Sequence, residues 1–300
     1  MKTWGDILRL GGAYLAGRGV PDAQVAAELL MARLVNCGRG FLFPHLAKTP
    51  SEAYVAAMRR GMARLVKGEP IQYVLGEWDF RTLTLACDRR ALIPRPETEE
   101  LVTRVLAFLR ARLPSPSAPP LVVDVGTGSG CILLSLAKEF AGAASFLGLD
   151  ISPDAIALAR ENAARCGLAD RVAFAVADGL DDFDEPETVD VLVSNPPYVP
   201  TADCAALDPR IRDWEPRNAL DGGVAGLDFY ERLVGDALNV LRPGGGVFFE
   251  IGDGQGAALR KLFFDAGFDD IRVEPDDAGH DRYASAVLPR PAAAQEKEAM

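Results

Sequence analysis

The tetrapeptide Asn195-Pro196-Pro197-Tyr198 contains the residues best suited to specific chemistry in this chain of 300 residues. It follows the apolar run 189–194, which predicts a buried parallel strand, and its two prolines end that strand at the carboxyl edge. The Asn195 side chain and the Pro196 carbonyl can both accept hydrogen bonds, so a planar NH2 group could donate one proton to each. Tyr198 offers a ring face to the same group. The pattern predicts a site for an amide or aromatic amine, and a proline-rich turn after a strand is the alternative interpretation.

A glycine-rich loop, Gly126-Thr127-Gly128-Ser129-Gly130, forms a second candidate site between a predicted strand at 121–125 and a predicted helix at 131–139. Glycines let the backbone turn sharply and approach a ligand, and the N–H groups of the following helix point towards it. Asp150 ends the next predicted strand, where a carboxylate can accept both hydroxyls of a ribose. The spacing Gly-x-Gly-x-Gly differs from the Gly-x-Gly-x-x-Gly of dinucleotide binders. This difference disfavours an NAD-linked oxidoreductase.

Asp178 in the segment Ala177-Asp178-Gly179 follows the third predicted strand. At that position an aspartate is placed to hold the amine of an adenine, and an ordinary turn aspartate is the alternative. Together with Asp150 and the glycine loop, it predicts a site for a nucleoside-containing ligand.

Strands and helices alternate from residue 121 onward, and these elements must position the loops. Further strands are predicted at 146–150, 172–176, 189–193, 246–251 and 283–288, with a helix capped by Ser152 and another near 228–241. A βαβα order demands parallel strands with helices on both faces. The sequence therefore predicts an α/β fold, a Rossmann-like, mostly parallel, doubly wound sheet.

The first 77 residues have helical spacing and predict a separate, small helical-bundle domain. In it, Thr49 is predicted to cap a helix over 53–65, with Pro50 in the first turn and Glu52 completing a capping box. Residues 78–113 are predicted to be a connector containing a β-hairpin and a helix. The catalytic domain is predicted at 114–288, after a proline-rich break at 114–120, and the tail 289–300 is predicted to be flexible.

The formal net charge of −11 is unevenly distributed, with +5 over residues 1–90 and −16 over the remainder. Binding along a nucleic-acid backbone needs lysines and arginines, so the acidic body argues against a direct nucleic-acid partner. An acidic cleft suits a cationic cofactor instead. The basic first part and the acidic second part indicate two units with different partners.

Cysteine and histidine usage narrows the chemistry and the compartment. The five cysteines are scattered without C-x-x-C spacing, which indicates a reducing compartment. The two histidines, His45 and His280, lack metal-like neighbours, so we expect no metal site and no histidine-based triad. No stretch is long and apolar enough to span a bilayer. We expect a cytoplasmic protein without a membrane partner.

In combination, the glycine loop, Asp150, Asp178 and Asn195-Pro196-Pro197-Tyr198 resemble the class I methyltransferases that use S-adenosylmethionine. Further segments resemble the release factor glutamine methyltransferases, the protein-(glutamine-N5) methyltransferases of the HemK/PrmC family, over residues 1–288. These segments are Pro70-Ile71-Gln72-Tyr73-Val74-Leu75-Gly76-Glu77, Leu92-Ile93-Pro94-Arg95-Pro96-Glu97-Thr98-Glu99, Glu215-Pro216-Arg217-Asn218-Ala219-Leu220-Asp221-Gly222-Gly223 and Glu250-Ile251-Gly252. The sister enzymes that methylate a ribosomal-protein glutamine usually differ at the position of Pro94-Arg95-Pro96-Glu97.

The resemblance implies a role for each candidate residue. Gly126, Thr127, Gly128, Ser129 and Gly130 would wrap the methionine end of S-adenosylmethionine, and Asp150 would hold its ribose. Asp178 and Gly179 would border the adenine, although family members often carry an aromatic residue at the position of Gly179. Asn195 and the Pro196 carbonyl would hold the glutamine of the Gly-Gly-Gln loop in peptide chain release factors. Pro197 and Tyr198 would line the slot, and Arg95 and Glu97 would be wall or docking residues or only the start of a capped helix.

Other functions stay open at this point. A nucleic-acid adenine-N6 methyltransferase uses the same four residues, because the adenine NH2 is also planar, but it needs a basic surface to hold an extruded base. A ribosomal-protein glutamine methyltransferase is another alternative. A non-catalytic binding module on the same fold has no use for both an intact glycine loop and an intact Asn-Pro-Pro-Tyr.

Overall fold

The structure, a computed structural model, describes residues 2–112, 119–181, 183 and 186–291. Its chain forms two compact units. The first comprises Met1–Trp78, Cys87–Arg89 and Asp208–Trp214, and the second comprises Asp79–Ala86, Arg90–Leu207 and Glu215–Met300. Most of the predicted proline-rich break (114–118) and most of the predicted flexible tail (292–300) lie outside the described residues.

The first unit is helical. Its helices are α1 (Trp4–Ala16), α2 (Ala23–Val35), α3 (Glu52–Val66) and α4 (Ile71–Leu75), with α8 (Pro209–Arg212) contributed from later in the chain. Thr3 and Asp6 form a capping box at the start of α1, each side chain accepting a hydrogen bond from the other's backbone N–H. The core contains Leu15, Met31 and Met58, which are fully buried. A small apolar core and a capped first helix therefore stabilise this unit.

The cap predicted for α3 was wrong. Ser51, rather than Thr49, is the N-cap, because its hydroxyl accepts a hydrogen bond from the Tyr54 N–H at 3.5 Å. The helix starts at Glu52, so Pro50 precedes the cap and Glu52 occupies the first helical position. Two neighbouring hydroxyl residues can both fit the sequence pattern, and only the backbone geometry decides between them.

The second unit contains a seven-stranded sheet in the order β5-β4-β3-β6-β7-β9-β8. The strands are β3 (Leu121–Val125), β4 (Ser145–Asp150), β5 (Val172–Val176), β6 (Val189–Ser194), β7 (Leu241–Glu250), β8 (Asp269–Pro275) and β9 (Asp281–Val287). The first five run parallel to one another, whereas β9 pairs antiparallel with both β7 and β8. The prediction of a mostly parallel sheet is confirmed.

Helices cover both faces of this sheet, which confirms the doubly wound fold. They are α5 (Pro96–Arg112), α6 (Cys131–Glu139), α7 (Pro153–Arg165), α9 (Asp228–Val240) and α10 (Gly256–Asp265). One apolar cluster joins the sheet to α5, α6 and α7, and a second joins it to α9 and α10. Ser152 caps α7 as predicted, because its hydroxyl accepts from the Ala155 N–H.

Two shorter strands, β1 (Glu77–Phe80) and β2 (Leu83–Ala86), form a two-stranded sheet. Within the second unit, the buried Asn162 of α7 ties β2 to the glycine loop. Its amide exchanges hydrogen bonds with the Ala86 backbone and donates one to the Ser129 carbonyl at 3.0 Å. The start of α6 is therefore held in place by a fully satisfied buried side chain.

In the described part of the chain, no helix is long and apolar enough to cross a membrane. The same residues contain no cluster of three histidine, cysteine or acidic side chains that could hold a metal ion.

Candidate active site

A cavity of about 370 Å³ lies at the carboxyl edge of the parallel strands in the second unit. Because β3, β4, β5 and β6 run in the same direction, the loops that follow them meet at one edge of the sheet. Each of these loops lines the cavity, the four contributing Gly126–Ser129, Ile151–Ser152, Ala177–Gly179 and Asn195–Pro197. The volume falls within the ~300–1,000 Å³ typical of small-molecule sites. The structure therefore brings most of the predicted site residues together.

The glycine loop turns through left-handed backbone conformations that suit glycine. The φ angles of Gly126, Gly128 and Gly130 are +73°, +55° and +80°. Gly126 and Gly128 line the cavity, whereas Gly130 does not: a Cβ there would come within 3.3 Å of Ala159 in α7. Gly130 is thus required by its backbone angle and by helix packing, while the first two glycines open the cavity.

Asp150 lies at the end of β4 with both carboxylate oxygens engaged by backbone groups. Oδ2 accepts from the Gly128 N–H and Oδ1 from the Ser152 N–H, each at 2.9 Å. Burial raises the pKa of this carboxyl, and these two hydrogen bonds act in the opposite direction. Each oxygen keeps a further lone pair for a ligand hydroxyl.

Asp124 lies on β3, just before the glycine loop, and it is fully buried. Its Oδ2 accepts from the Thr127 hydroxyl at 2.7 Å, and its Oδ1 has no hydrogen-bond partner among the described residues. Burial raises the pKa of Asp124 to about 7, and the nearby Asp150 adds to this effect. The buried Asp124 and the half-buried Asp150 have no described cation beside them, and Asp150 lines the cavity, so the pair fits a positively charged ligand there.

Arg232 of α9 closes the end of the cavity formed by Asp178 and Gly179. Its guanidinium donates to the Asp178 carboxylate at 2.6 Å and to the Asp181 carboxylate at 2.7 Å. A Cβ built on Gly179 would lie 3.0 Å from that guanidinium carbon. The planar guanidinium thus lies beside the position where the resemblance implies an aromatic ring.

Asn195 follows β6 directly and lines the cavity, and its amide nitrogen is held by a hydrogen bond to another side chain. Nδ2 donates to the Thr98 hydroxyl at 3.2 Å, and that hydroxyl donates to Glu250 Oε2 at 2.6 Å. None of the residues that the structure describes donates a hydrogen bond to Asn195 Oδ1. The side chain therefore presents a free acceptor at the cavity.

Pro196 and Pro197 also line the cavity, but Tyr198 does not. Tyr198 packs against the apolar cluster of α9 and α10, and its carbonyl accepts from the Gln255 amide at 3.1 Å. Burial raises the pKa of its phenol to about 12. The structure thus places this residue beneath the loop instead of at the cavity wall.

Arg95 lines the cavity and pairs with the buried carboxylate of Glu215 at 2.5 Å. The other oxygen of Glu215 accepts from the Ile93 N–H at 3.0 Å. Two of the segments that resemble the family are therefore joined through one acidic side chain. Glu97 is exposed at the start of α5 and does not line the cavity.

Sequence reasoning did not single out Thr98, Glu250, Arg232 or Glu215 as individual site residues. A usable signal existed for Glu250, because it is a lone carboxylate at the end of the apolar run Val247-Phe248-Phe249. A charge in such a run costs free energy unless it is paired or neutralised, so it marks a polar site. The sequence carries no comparable signal for Thr98 or Arg232.

Comparison with known proteins identifies relatives along nearly the whole chain. A family model described as PrmC N-terminal domain matches residues 6–76, and one described as Methyltransferase domain matches residues 121–261. The release factor glutamine methyltransferase of Geobacter sulfurreducens is 40% identical, covering 90% of this chain and 91% of that protein. The enzyme of the same name from Cereibacter sphaeroides is 38% identical, covering 95% and 98%. The Moorella thermoacetica protein of that name is 39% identical, covering 89% and 92%.

Solved structures with a similar fold include two methyltransferases of low sequence identity. The hMettl16 catalytic domain in complex with MAT2A 3'UTR hairpin 6 has a TM-score of 0.53 at 16% identity, covering 81% of this chain and 84% of that one. The human methyltransferase 10 domain containing protein has a TM-score of 0.52 at 17% identity, covering 69% and 88%. At these identities the likeness concerns the fold alone.

Fold and site together define a class I methyltransferase that depends on S-adenosylmethionine. Within this class, several full-length relatives at 38–40% identity narrow the assignment further. The chain belongs to the release factor glutamine methyltransferase family.

Proposed function

We propose that this protein transfers the methyl group of S-adenosylmethionine to the side-chain nitrogen of the glutamine in the Gly-Gly-Gln loop of peptide chain release factors. The proposal rests on Asn195 Oδ1, which accepts no hydrogen bond from the described residues, while Asn195 lines the same cavity as the glycine loop and Asp150. The names of the full-length relatives support the release factor as substrate.

The residues along the cavity fit the parts of the cofactor. The glycine loop would surround the methionine end, and the Asp150 carboxylate would accept from the ribose hydroxyls. Asp178, Gly179 and the Arg232 guanidinium would border the adenine, since a planar cation can stack on an aromatic ring. The buried Asp124, whose Oδ1 has no hydrogen-bond partner among the described residues, and the half-buried Asp150 suit the positive charge of this cofactor.

S-adenosylmethionine, when bound, supplies an electrophilic methyl group on a sulfonium sulfur. Asn195 Oδ1 and the Pro196 carbonyl would each accept one proton of the glutamine NH2, which orients the nitrogen for attack. Both hydrogen bonds would strengthen as positive charge develops on that nitrogen, and this stabilises the transition state more than the ground state. Positioning the two reactants can supply ~7–11 kcal/mol of barrier reduction in favourable cases. As the methyl–nitrogen bond forms, the methyl–sulfur bond would break and S-adenosylhomocysteine would leave. The methylated nitrogen, now far more acidic, would then lose one proton to solvent, so no general base is needed before attack.

Pro197 would form the wall of the glutamine slot, while Tyr198 would support the loop from beneath instead of stacking on the substrate. Arg95, held by Glu215, would border the slot entrance. Glu97 is exposed and does not line the cavity, so it would contact the substrate protein outside it.

The helical first unit would dock the substrate protein. Two of its phenylalanines are largely exposed, Phe41 at 72% and Phe43 at 83%, on either side of the buried Leu42. Exposed aromatic side chains are common at the centres of protein interfaces. The basic charge of residues 1–90 would add attraction to an acidic partner surface.

The test is incubation with labelled S-adenosylmethionine and one of three acceptors: a full-length release factor, the same factor with its loop glutamine changed to alanine, or duplex DNA. We expect label in the unaltered factor alone. Equal label in the alanine variant would exclude the loop glutamine, and label in DNA would favour the adenine alternative.

A further inference from the structure

Glu250 is a buried carboxylate at the end of β7, and the cofactor and substrate roles above do not use it. It is 2% exposed and does not line the cavity, but it accepts a hydrogen bond from the Thr98 hydroxyl, which in turn accepts one from the Asn195 amide. Thr98 is also 2% exposed. Burying an ionised carboxylate costs free energy unless hydrogen bonds or a cation compensate for the lost water. Such a group is therefore a candidate for a functional role, and its contacts indicate which role.

We propose that Glu250 is a positioning residue which, through the Thr98 hydroxyl, holds the Asn195 amide with its oxygen towards the cavity. The proposal deepens the proposed function, because it rests on Asn195 Oδ1 accepting from the substrate NH2. The Asn195 amide could otherwise adopt two orientations. In one its oxygen faces the cavity, and in the other its NH2 group faces the NH2 group of the substrate, so that neither can accept a hydrogen bond.

The donors and acceptors along this chain of hydrogen bonds fix the orientation of the Asn195 amide. An ionised carboxylate can only accept hydrogen bonds, so the Thr98 hydroxyl must donate its single proton to Glu250 Oε2. The Thr98 oxygen can then only accept from Asn195, which requires the Nδ2 side of the amide. The oxygen side is consequently left to face the cavity. Each link permits only one arrangement of the next.

Protonation of Glu250 would remove this constraint. A neutral carboxyl can donate to the Thr98 oxygen, and the Thr98 hydroxyl is then free to donate to Asn195 Oδ1. In that arrangement the amide turns its NH2 towards the cavity, where it opposes the NH2 of a substrate amide. The acceptor would be lost without any change in backbone structure.

The electrostatic surroundings place this change near neutral pH. Burial raises the pKa of Glu250 to about 7, while the Thr98 hydroxyl, Arg282 and the Asn195 amide favour the ionised form. The side chains that face Glu250 or share its field are Glu97 and Thr98 of α5, Cys131 of α6, Asn195 and Tyr198 after β6, Tyr230 of α9, and Arg282 and Tyr283 of β9. Arg282 is the cation of this set, and Glu97 the other carboxylate.

The experiment compares the wild type with Glu250→Gln, Thr98→Val and Thr98→Ser between pH 5.5 and 8.5. Methyl transfer to a full-length release factor gives kcat and KM, and calorimetry gives the Kd of S-adenosylmethionine. We expect the wild-type kcat to fall below pH 7. Glu250→Gln and Thr98→Val should lose about 10- to 100-fold in kcat, with no acid limb and little change in cofactor Kd. Thr98→Ser keeps the hydroxyl and should retain most of the wild-type kcat and its acid limb.

Ser135→Ala is the matched control, because Ser135 is a fully buried hydroxyl of α6 without a hydrogen-bond partner among the described residues. It should leave both kcat and the pH profile unchanged. The inference is overturned by an acid limb that persists in Glu250→Gln, or by a cofactor Kd that rises in step with the loss of kcat.

A second readout separates this inference from the proposed function. The side-chain ¹⁵NH2 resonances of Asn195, assigned with Asn195→Ala, should titrate near pH 7 in the wild type and not in Glu250→Gln. If the wild type failed to methylate the release factor while these resonances titrated as expected, the substrate would be wrong and the positioning role would stand. Resonances that titrate identically in both proteins would overturn the positioning role whatever the substrate.

Discussion

At the scale of single residues, the site depends on one side chain whose chemistry is set by its neighbours. Asn195 has an amide with two donors and one acceptor group, and only the acceptor suits an incoming NH2. Its nitrogen is occupied by Thr98 and its oxygen is open to the cavity. We therefore expect the loss of Asn195 to lower kcat far more than it lowers the affinity for S-adenosylmethionine.

Replacing Asn195 with alanine should therefore reduce kcat by about 10²- to 10³-fold, the loss typical of removing one transition-state hydrogen-bonding group. The Kd of S-adenosylmethionine should change only slightly. Steady-state kinetics with a release factor and calorimetric titration of the cofactor measure the two effects. Asn239→Ala, an exposed position on α9, is the control and should behave as wild type. Equal losses in kcat and cofactor affinity would contradict the assigned role.

At the scale of elements, the loop after β6 is held by glycines from a distant segment. A Cβ on Gly226 would lie 2.2 Å from the Tyr198 carbonyl oxygen, and Gly226 has a φ of +71°. Gln255 reinforces the same contact by donating to the carbonyls of Tyr198 and Gly226. The Asn-Pro-Pro-Tyr backbone is thus fixed by close approach as well as by its own prolines.

Gly226→Ala should displace this loop and lower kcat by at least about 10-fold, because small misplacements of reacting groups are costly. The left-handed backbone angle and the clash should also lower the melting temperature. Gly235→Ala is the matched control, since its Cβ meets nothing within 4 Å on α9. It should preserve activity and slightly stabilise the helix. Equal activity in the two variants would show that the close approach to Tyr198 is not needed.

The elements that the sequence predicted well are those with a strong local pattern. Strands β3 and β6 are buried apolar runs, and the loops that follow them meet at one edge because parallel strands end together. Strand β8 was missed, because Asp269–Pro275 is a polar, partly exposed edge strand that lacks an apolar run. The division at residue 77, with a connector at 78–113, stays a prediction.

The site was only partly predictable for a related reason. Asn195, Asp150 and the glycine loop each belong to a local motif, but the residues that orient them come from remote parts of the chain. Thr98 and Glu250 are 152 residues apart, and Arg232 lies 54 residues beyond Asp178. Such pairs arise from tertiary packing and leave no spacing to find in one sequence. Tyr198 illustrates the converse, since its motif could not reveal which side of the loop its ring would occupy.

At the scale of the whole molecule, two buried carboxyls connect the site to the stability of the fold. Burial raises the pKa of Asp124 from 3.8 and that of Glu250 from 4.5, each to about 7. The folded protein therefore binds more protons than the unfolded chain between about pH 4 and pH 7. These two groups make the fold less stable as the pH rises through that interval, and their effect levels off above it.

Asp124→Asn should remove one of these two contributions. The loss of unfolding free energy between pH 5 and pH 8 should be smaller than in the wild type by on the order of 2–3 kcal/mol. Urea unfolding of the ligand-free protein at both pH values measures the difference, whatever the substitution does to stability at a single pH. Asp277→Asn, in the exposed turn between β8 and β9, is the control. A pH dependence identical to that of the wild type would contradict the raised pKa of Asp124.

Recognition of a folded substrate is also a property of the whole molecule, because the first unit would supply affinity that the cavity alone does not. Burying an exposed phenylalanine in an interface contributes ~1.5–3 kcal/mol. The double variant Phe41→Ser, Phe43→Ser should therefore raise the KM for a full-length release factor by about 100-fold or more. The kcat should stay near that of the wild type.

A short Gly-Gly-Gln peptide reaches only the cavity, so its KM should not change. Phe264→Ser is the matched control, since Phe264 is 75% exposed on α10 of the other unit. Equal effects on factor and peptide, or from the control, would exclude docking through these two phenylalanines.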